Sequence, residues 1–318
     1  MPVYVGVITP PTPPAPSPTP VPVPPRRPAD PGRFELVWIT PGDGREVQLT
    51  SDSELHFTLD AWSGVTGAAP ISIVADPHPR GGTRVRHIQP QPRTMILPVR
   101  VRADTHMELV WGWRDLASAI VATRRLGPGR LRILRPDGSA REIEAYYQAG
   151  FDGEPGQGWL YDTAVLSLYC PDPFWRDVRP ETIPYSYGGD PVSYLSPYLT
   201  VSPSNILGAT TANNAGNVEA WPTWRIVGPA TSLVATNHTT GEAFEMVGTL
   251  SAGEVATIST DPPQVRGPAG QNWSDKLTYP GAVLWGLQPG PNAVEFAVSG
   301  AAAGTEIALS YVPRYETA

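Results

Sequence analysis

The stretch NHTTGEAFEMVGTLSAGEVATIST, residues 237–260, decides the fold of the second half of this 318-residue chain. It contains two short apolar runs, Phe244–Val247 and Val255–Ser259, and each follows a turn signal, at 237–241 and at 251–253. Gly, Asn and Ser are favoured in turns, and short β-rich runs between turns indicate strands. The stretch therefore predicts neighbouring antiparallel strands.

The same pattern continues on both sides of this stretch. The other predicted strands are Trp224–Val227, Leu233–Ala235, Ala282–Trp285, Val294–Val298 and Ile307–Tyr311. About seven short antiparallel strands within roughly 100 residues are typical of a β-sandwich. We therefore predict a C-terminal antiparallel β-sandwich over residues 213–318.

The composition excludes several other classes of protein. The chain contains 39 Pro and 31 Gly, which disfavours a helical bundle or a regular βαβ repeat. The net charge of −7 gives no basic excess of the kind that holds nucleic acid by its phosphates. The single cysteine, Cys170, excludes an intramolecular disulfide and a cysteine-based zinc site. Neither a transmembrane run nor a secretory signal is recognised, so no membrane contact is predicted.

Residues 1–32 form a separate segment in which 13 residues are proline. Proline supports neither a helix nor an internal strand ladder, and it favours extended polyproline II. Such a composition is typical of a spacer. The alternative, which we favour, is an extended arm that packs along a neighbouring subunit or partner. Its apolar anchor would comprise Val3, Tyr4, Val5, Val7 and Ile8.

Residues 33–175 predict an N-terminal β-domain with one helix, at 105–125. Thr105 and Glu108 form a capping box at the start of this helix. Its apolar stripe predicts packing against the core; the stripe is Leu109, Trp113, Leu116 and Ile120. A hairpin follows over 130–147. Residues 176–212 are rich in Tyr, Pro, Ser and Gly, and they predict a linker or long excursion.

No arrangement typical of an active site is found in the sequence. The five histidines show no metal-ligand spacing; they are His56, His78, His87, His106 and His238. Glu142 and Glu144 lie two residues apart on one strand, which favours a solvated face over a glycosidase pair. Cys170 ends a strand and is predicted to be a buried, inert thiol. We predict no catalytic, cofactor-binding or metal-binding residues and no enzymatic activity.

Two groups of residues suggest contacts with other chains. The basic residues Arg80, Arg84, Arg86, His87, Arg93, Arg100 and Arg102 predict a polar strand face beside a mobile loop. The alternative is a surface that faces a ring or groove and meets acidic residues of a neighbour, and nucleic-acid binding ranks third. Four tryptophans near turns and junctions suit subunit interfaces; they are Trp159, Trp175, Trp221 and Trp285.

Three stretches together resemble the distal tail proteins of long-tailed bacteriophages with non-contractile tails (siphovirus-type tail components). The first is LSLYCPDPFWRD, residues 166–177, which is similar to the family's junction between domains. The second is NNAGNVEAWPTWRIVGP, residues 213–229, which is similar to the entry into its C-terminal domain. The third runs from 237 to 265 and continues with LWGLQPGPNAVEF at 284–296. The Pro-rich arm departs from the family pattern.

The resemblance implies both a fold and a function. It implies a ring-forming N-terminal β-domain with one helix and a galectin-like C-terminal sandwich. The chain would form a ring, expected to be a homohexamer, at the distal end of the tail in the virion. That ring would join the tail tube protein and the tape measure protein to the hub or tip protein. Receptor-binding or fibre proteins would be further partners, and DNA would pass through the lumen.

Two other functions compete with the structural one. A carbohydrate-binding adhesin module of the tail tip would use exposed aromatic residues of the sandwich; the candidates are Trp221, Trp224, Trp273 and Trp285. A wall-degrading hydrolase ranks last, because no acid–base or metal arrangement is found.

Overall fold

A computed structural model describes residues 34–50, 56–58, 62–152, 160–186 and 205–318. The Pro-rich arm and its anchor at residues 3–8 lie outside this part. The strands of the first domain are β1 Glu35–Ile39, β2 Glu46–Gln48, β3 His56–Thr58, β4 Ile71–Pro77, β5 Thr83–Pro90, β6 Arg93–Arg102, β7 Gly129–Leu134, β8 Ala140–Ala149, β9 Tyr161–Cys170 and β10 Trp175–Asp177. Its helices are α1 His106–Val121 and α2 Thr123–Leu126.

The second domain consists of strands and one short 3₁₀ helix. Its strands are β11 Glu181–Ser186, β12 Asn205–Asn214, β13 Thr223–Val227, β14 Ala230–Asn237, β15 Glu242–Leu250, β16 Val255–Thr260, β17 Pro263–Arg266, β18 Gly290–Ser299 and β19 Glu306–Tyr311, with a 3₁₀ helix at Ser274–Lys276. A last strand, β20 Arg314–Tyr315, pairs with β10 of the first domain. None of the described helices has the length and apolar character needed to cross a membrane.

The first domain is an antiparallel sheet covered by α1. The strand order is β2-β1-β7-β8-β9-β6-β3, with β10 and β20 attached beside β8. The predicted hairpin over 130–147 is confirmed, because Leu131 pairs with Ile143 across β7 and β8. Both of these side chains are buried and contribute to the first core.

The predicted helix is confirmed, with a short interruption at Ala122. Both hydrogen bonds of the capping box at Thr105 and Glu108 are present. Leu116 and Ile120 are completely buried against the sheet, and Trp38 in β1 donates its indole N–H to the Ala119 carbonyl over 3.1 Å. The apolar stripe therefore packs as the sequence predicts.

The second domain is a sandwich of two antiparallel sheets, as predicted. One has the order β11-β19-β13-β16-β17 and the other β12-β18-β14-β15. An aromatic cluster fills the space between them. Trp224 packs edge-to-face on Phe244, Trp285 and Phe296, at centroid distances of 5.9, 5.3 and 5.6 Å.

Two sequence predictions about this domain are wrong. The segment 176–212 is not only a linker, because β11 pairs with β19 and β12 pairs with β18. Residues 282–285, predicted as a strand, do not form one. Pairing with distant strands decides the outcome for 176–212. Residues 282–285 contact β15 through the Val283 N–H, which donates to the Ala243 carbonyl, and no ladder continues from this bond.

Candidate assembly surfaces

A ribbon formed by β4 and β5 is a separate sheet in the described part of the chain. Its register pairs Ile73 with Ile88 and Ala75 with Val85. Residues paired across antiparallel strands share a face, so these apolar side chains lie on one side. Ile73 and Ile88 remain 54% and 53% exposed. An isolated two-stranded hairpin is marginally stable in water, so this apolar face is suited to contact with another surface.

The opposite face of the ribbon is polar apart from Val74, which is 53% exposed. Val74 pairs with His87, and Asp76 pairs with Arg84. Asp76 also forms an ion pair with Arg86. The ribbon is therefore amphipathic, and its acidic residue lies among its basic ones.

The predicted basic run does not form one surface. Arg84, Arg86 and His87 lie on the ribbon, whereas Arg93 is 1% exposed in the first domain. The guanidinium of Arg100 lies 5.4 Å from the ring centroid of Tyr161. The prediction of a single polar strand face is wrong, because the turn at the end of β5 directs the chain into the interior at Arg93.

A second apolar surface lies on the outer face of β6 and β9. The inward residues of both strands are buried, and the outward residues alternate with them. Pro98 pairs with Val165 and Thr94 with Tyr169. Val165, Ile96 and Tyr169 are 54%, 42% and 38% exposed. We refer to this surface as the β6–β9 face.

The tryptophans proposed for interfaces and for glycan binding are partly misassigned. Trp175, Trp224 and Trp285 are buried in the two cores, with at most 1% exposure, so neither another subunit nor a glycan can reach them. Trp221 and Trp273 are partly buried. Trp159 lies outside the described residues.

An exposed aromatic residue was missed by the sequence analysis. Trp111 is 60% exposed on α1, and Met107, one turn earlier, is 55% exposed. Helical periodicity gives the reason, because Trp111 points away from the stripe formed by Leu109 and Leu116. A tryptophan outside the buried stripe of a surface helix is the signal that could have identified it.

The groups considered for chemistry have structural partners. Glu142 is 8% exposed and accepts hydrogen bonds from Arg130 and Arg132 over 2.9 and 2.7 Å. It therefore forms ion pairs with two arginines in a partly buried cluster and is not part of a solvated face. Burial raises the pKa of Cys170 to about 12, which keeps the thiol protonated and unreactive at neutral pH.

Metal ligation has no structural support in the described ranges, where no three His, Cys, Asp or Glu residues are grouped as a metal ion requires. The Nε2 of His238 is hydrogen-bonded to a carboxylate oxygen of Glu295 over 2.7 Å, and the Nδ1 of His78 accepts from the backbone N–H of Arg80. The absence of a catalytic function stays a prediction.

The motif residues that carry the family resemblance stabilise the sandwich. Asn214, Asn237 and Asn292 are buried, with at most 1% exposure. Asn214 donates to the carbonyls of Val218 and Leu287, and Asn237 donates to the carbonyl of Gly286. These side chains satisfy backbone groups of irregular segments, which explains the motifs without a ligand.

The fold and these surfaces define a class: a two-domain antiparallel β protein whose apolar surfaces are suited to contacts with other proteins. Residues 215–315 match the family described as siphovirus-type tail component, C-terminal domain. No curated protein sequence matches the chain.

Solved structures share the fold of nearly the whole chain. The Dit protein (gp 19.1) of phage SPP1, described as a paradigm of hub adsorption apparatus in phages that infect Gram-positive bacteria, matches with a TM-score of 0.61 and 15% identity, over 89% of this chain and 99% of that one. Chains of the phage P2 baseplate in its activated conformation match with TM-scores of 0.52. The Ca form has 9% identity over 87% and 98% of the two chains, and the Sr form 10% over 88% and 98%.

Residues 215–315 therefore match the C-terminal domain of the siphovirus-type tail components, and the chain shares its fold with the SPP1 Dit protein and with chains of the phage P2 baseplate. The resemblance noted in the sequence is thereby confirmed for the C-terminal domain, and the mainly β fold is confirmed as well. The galectin-like character of the sandwich stays a prediction.

Proposed function

We propose that copies of this chain form a closed ring, expected to be a hexamer, through head-to-tail contacts. The apolar face of the ribbon in one copy would pack on the β6–β9 face of the next copy. The observation that carries the proposal is that one chain exposes two different apolar surfaces, centred on Ile73 and on Val165.

Two unlike surfaces that pair with each other give a heterologous contact. Such a contact closes into a ring when the rotation between copies fits, and otherwise gives a filament. A two-fold dimer would instead bring the same two surfaces together reciprocally, with each ribbon on the sheet face of the other copy, and would end at two chains. Assembly beyond two chains therefore distinguishes the ring from the dimer.

The ring would join the tail tube and tape measure proteins on one side to the hub or tip protein on the other, with receptor-binding or fibre proteins as further partners. DNA would pass through its lumen. A strongly basic wall would bind phosphates and slow that passage. The dispersal of the basic run, with Arg93 buried and Arg86 paired to Asp76, supports a lumen without a row of unpaired arginines.

A cysteine cross-link tests the proposed contact. Ile73→Cys and Val165→Cys in one chain should form intermolecular disulfides upon mild oxidation, which yields a ladder of up to six chains on a denaturing gel. The native Cys170 is buried and should not react. Native mass spectrometry of the unmodified protein gives the number of copies.

The matched control moves one cysteine to the opposite face of the ribbon. Val74→Cys combined with Val165→Cys should give no ladder, because Val74 is equally exposed and faces away. Dimers formed by Ile73→Cys alone would indicate a two-fold contact and refute the head-to-tail ring. A protein that stays monomeric at all concentrations would refute assembly as well.

A further inference from the structure

The residues after the sandwich return to the first domain. We call residues 312–318 the return segment. Its strand β20 pairs with β10, with Tyr315 opposite Trp175 and Arg314 opposite Arg176. Ala318 is 2% exposed and lies in the core of the first domain. The two domains are thus linked by two chain segments, one leaving β10 and one arriving at β20.

Arg314 contacts both domains. Its guanidinium binds both carboxylate oxygens of Asp172, over 2.8 and 2.9 Å, and lies 4.8 Å from the ring centroid of Phe174. It also donates to the carbonyl of Glu219 in the second domain over 3.2 Å. The backbone carbonyl of Arg314 accepts from Asn217 over 3.0 Å. Asp172 and Phe174 precede β10, the last strand before the chain enters the sandwich. The Arg314 side chain therefore connects the segment that leads into the sandwich with the segment that leaves it.

Arg93 fixes the return segment from inside the first domain. Its guanidinium donates to the carbonyl of Glu316 over 2.8 Å and to those of Pro173 and Gly67 over 3.0 and 2.7 Å. The carboxylate of Glu316 accepts from the backbone N–H of Ala69 over 3.1 Å. A buried charge is stable only when its donors are satisfied. The Glu316 carbonyl of the return segment satisfies one donor of the buried Arg93 guanidinium, and the same hydrogen bond holds the return segment in place.

Arg141 provides a third attachment. It donates to the carbonyl of Thr317 over 2.6 Å, and its guanidinium lies 3.6 Å from the ring centroid of Tyr315. Burial raises the pKa of Tyr315, which is consistent with a phenol held in the seam between elements. Two arginines from separate strands, Arg93 and Arg141, therefore hold the segment from the first domain, and Arg314 extends from the segment to contact both domains.

We propose that the return segment is a latch that fixes the orientation of the sandwich on the first domain, so that the two domains move as one unit. The polypeptide link between Asp177 and Glu181 is short and its residues are not buried in either core. Such a link alone does not fix the orientation of one domain relative to the other. The latch therefore transmits movement of the sandwich to the first domain. This coupling acts within a single copy and does not depend on ring formation.

A nicked protein tests the latch. A protease site placed between Asp177 and Glu181 allows the outgoing link to be cut, after which only non-covalent contacts join the two pieces. The cut wild-type protein should elute as one species in gel filtration. Arg314→Ala should weaken the association of the pieces at least about tenfold, because truncating one partner of a hydrogen-bonded charge pair at an interface is costly.

Arg176→Ala is the matched control. Arg176 binds the same Asp172 over 3.2 Å and Glu144 over 3.1 Å, but both partners lie in the first domain. This variant should leave the association unchanged.

Arg93→Lys is the second variant, since lysine keeps the charge and loses the forked donors. It should also weaken the association, and calorimetry of the uncut variants should resolve two unfolding transitions in place of one. If the cut pieces of both variants remain associated as tightly as the wild type, the latch is refuted.

Discussion

The ribbon provides the sharpest quantitative prediction. Ile73→Ser combined with Ile88→Ser removes two isoleucines that are each about half exposed in the free chain. Full burial of an isoleucine contributes roughly 1.5–3 kcal/mol, so covering the exposed half of each contributes about 1 kcal/mol. The pair accounts for about 2 kcal/mol per contact. Since about 1.4 kcal/mol is tenfold, the concentration for half-assembly should rise about thirtyfold.

Sedimentation velocity over a dilution series measures this concentration. Val74→Ser is the control, because Val74 has the same exposure and the same strand but points to the other face. Its assembly should match the wild type. Circular dichroism should show the same fold and melting temperature for all three proteins. Equal shifts for the control and the double variant would refute the assignment of the apolar face to the contact.

Three further predictions concern stability. Trp224→Ala should lower the free energy of unfolding by about 3–5 kcal/mol, because Trp224 is 0% exposed at the centre of the aromatic cluster; denaturant titration measures this. Thr105→Ala should cost about 1 kcal/mol by removing the cap of α1, and the melting temperature should fall accordingly. Burial raises the pKa of Cys170 from 9.0 to about 12. The contribution of the buried neutral thiol to the free energy of unfolding is therefore complete below pH 9 and is lost as the pH rises toward 12. The unfolding free energy of Cys170→Ala should therefore depend less on pH over this range than that of the wild type; an identical dependence would contradict the assignment.

Local patterns in the sequence were sufficient for several elements. The capping box at Thr105 and the hairpin around Asp137 involve residues close in sequence, so their residue types alone specify the geometry. Short strands between turns predicted the sandwich for the same reason. The motifs at 213–229 and 237–265 gave the resemblance that the match of the C-terminal domain confirms, and their buried asparagines donate to backbone carbonyls of this chain.

Other features depended on contacts between distant residues. Whether 181–186 is a linker or a strand is decided by the free edge of β19, and whether Trp285 faces a partner or the core is decided by the sheets around it. Arg93 has the same side chain as the exposed Arg84, yet it is buried because carbonyls from three separate segments converge on it. The sequence by itself determined which short segments turn, extend or coil, since those preferences act over a few residues. Only the tertiary structure decided which apolar surfaces stay uncovered and where the return segment attaches, because both depend on packing between residues far apart in the chain.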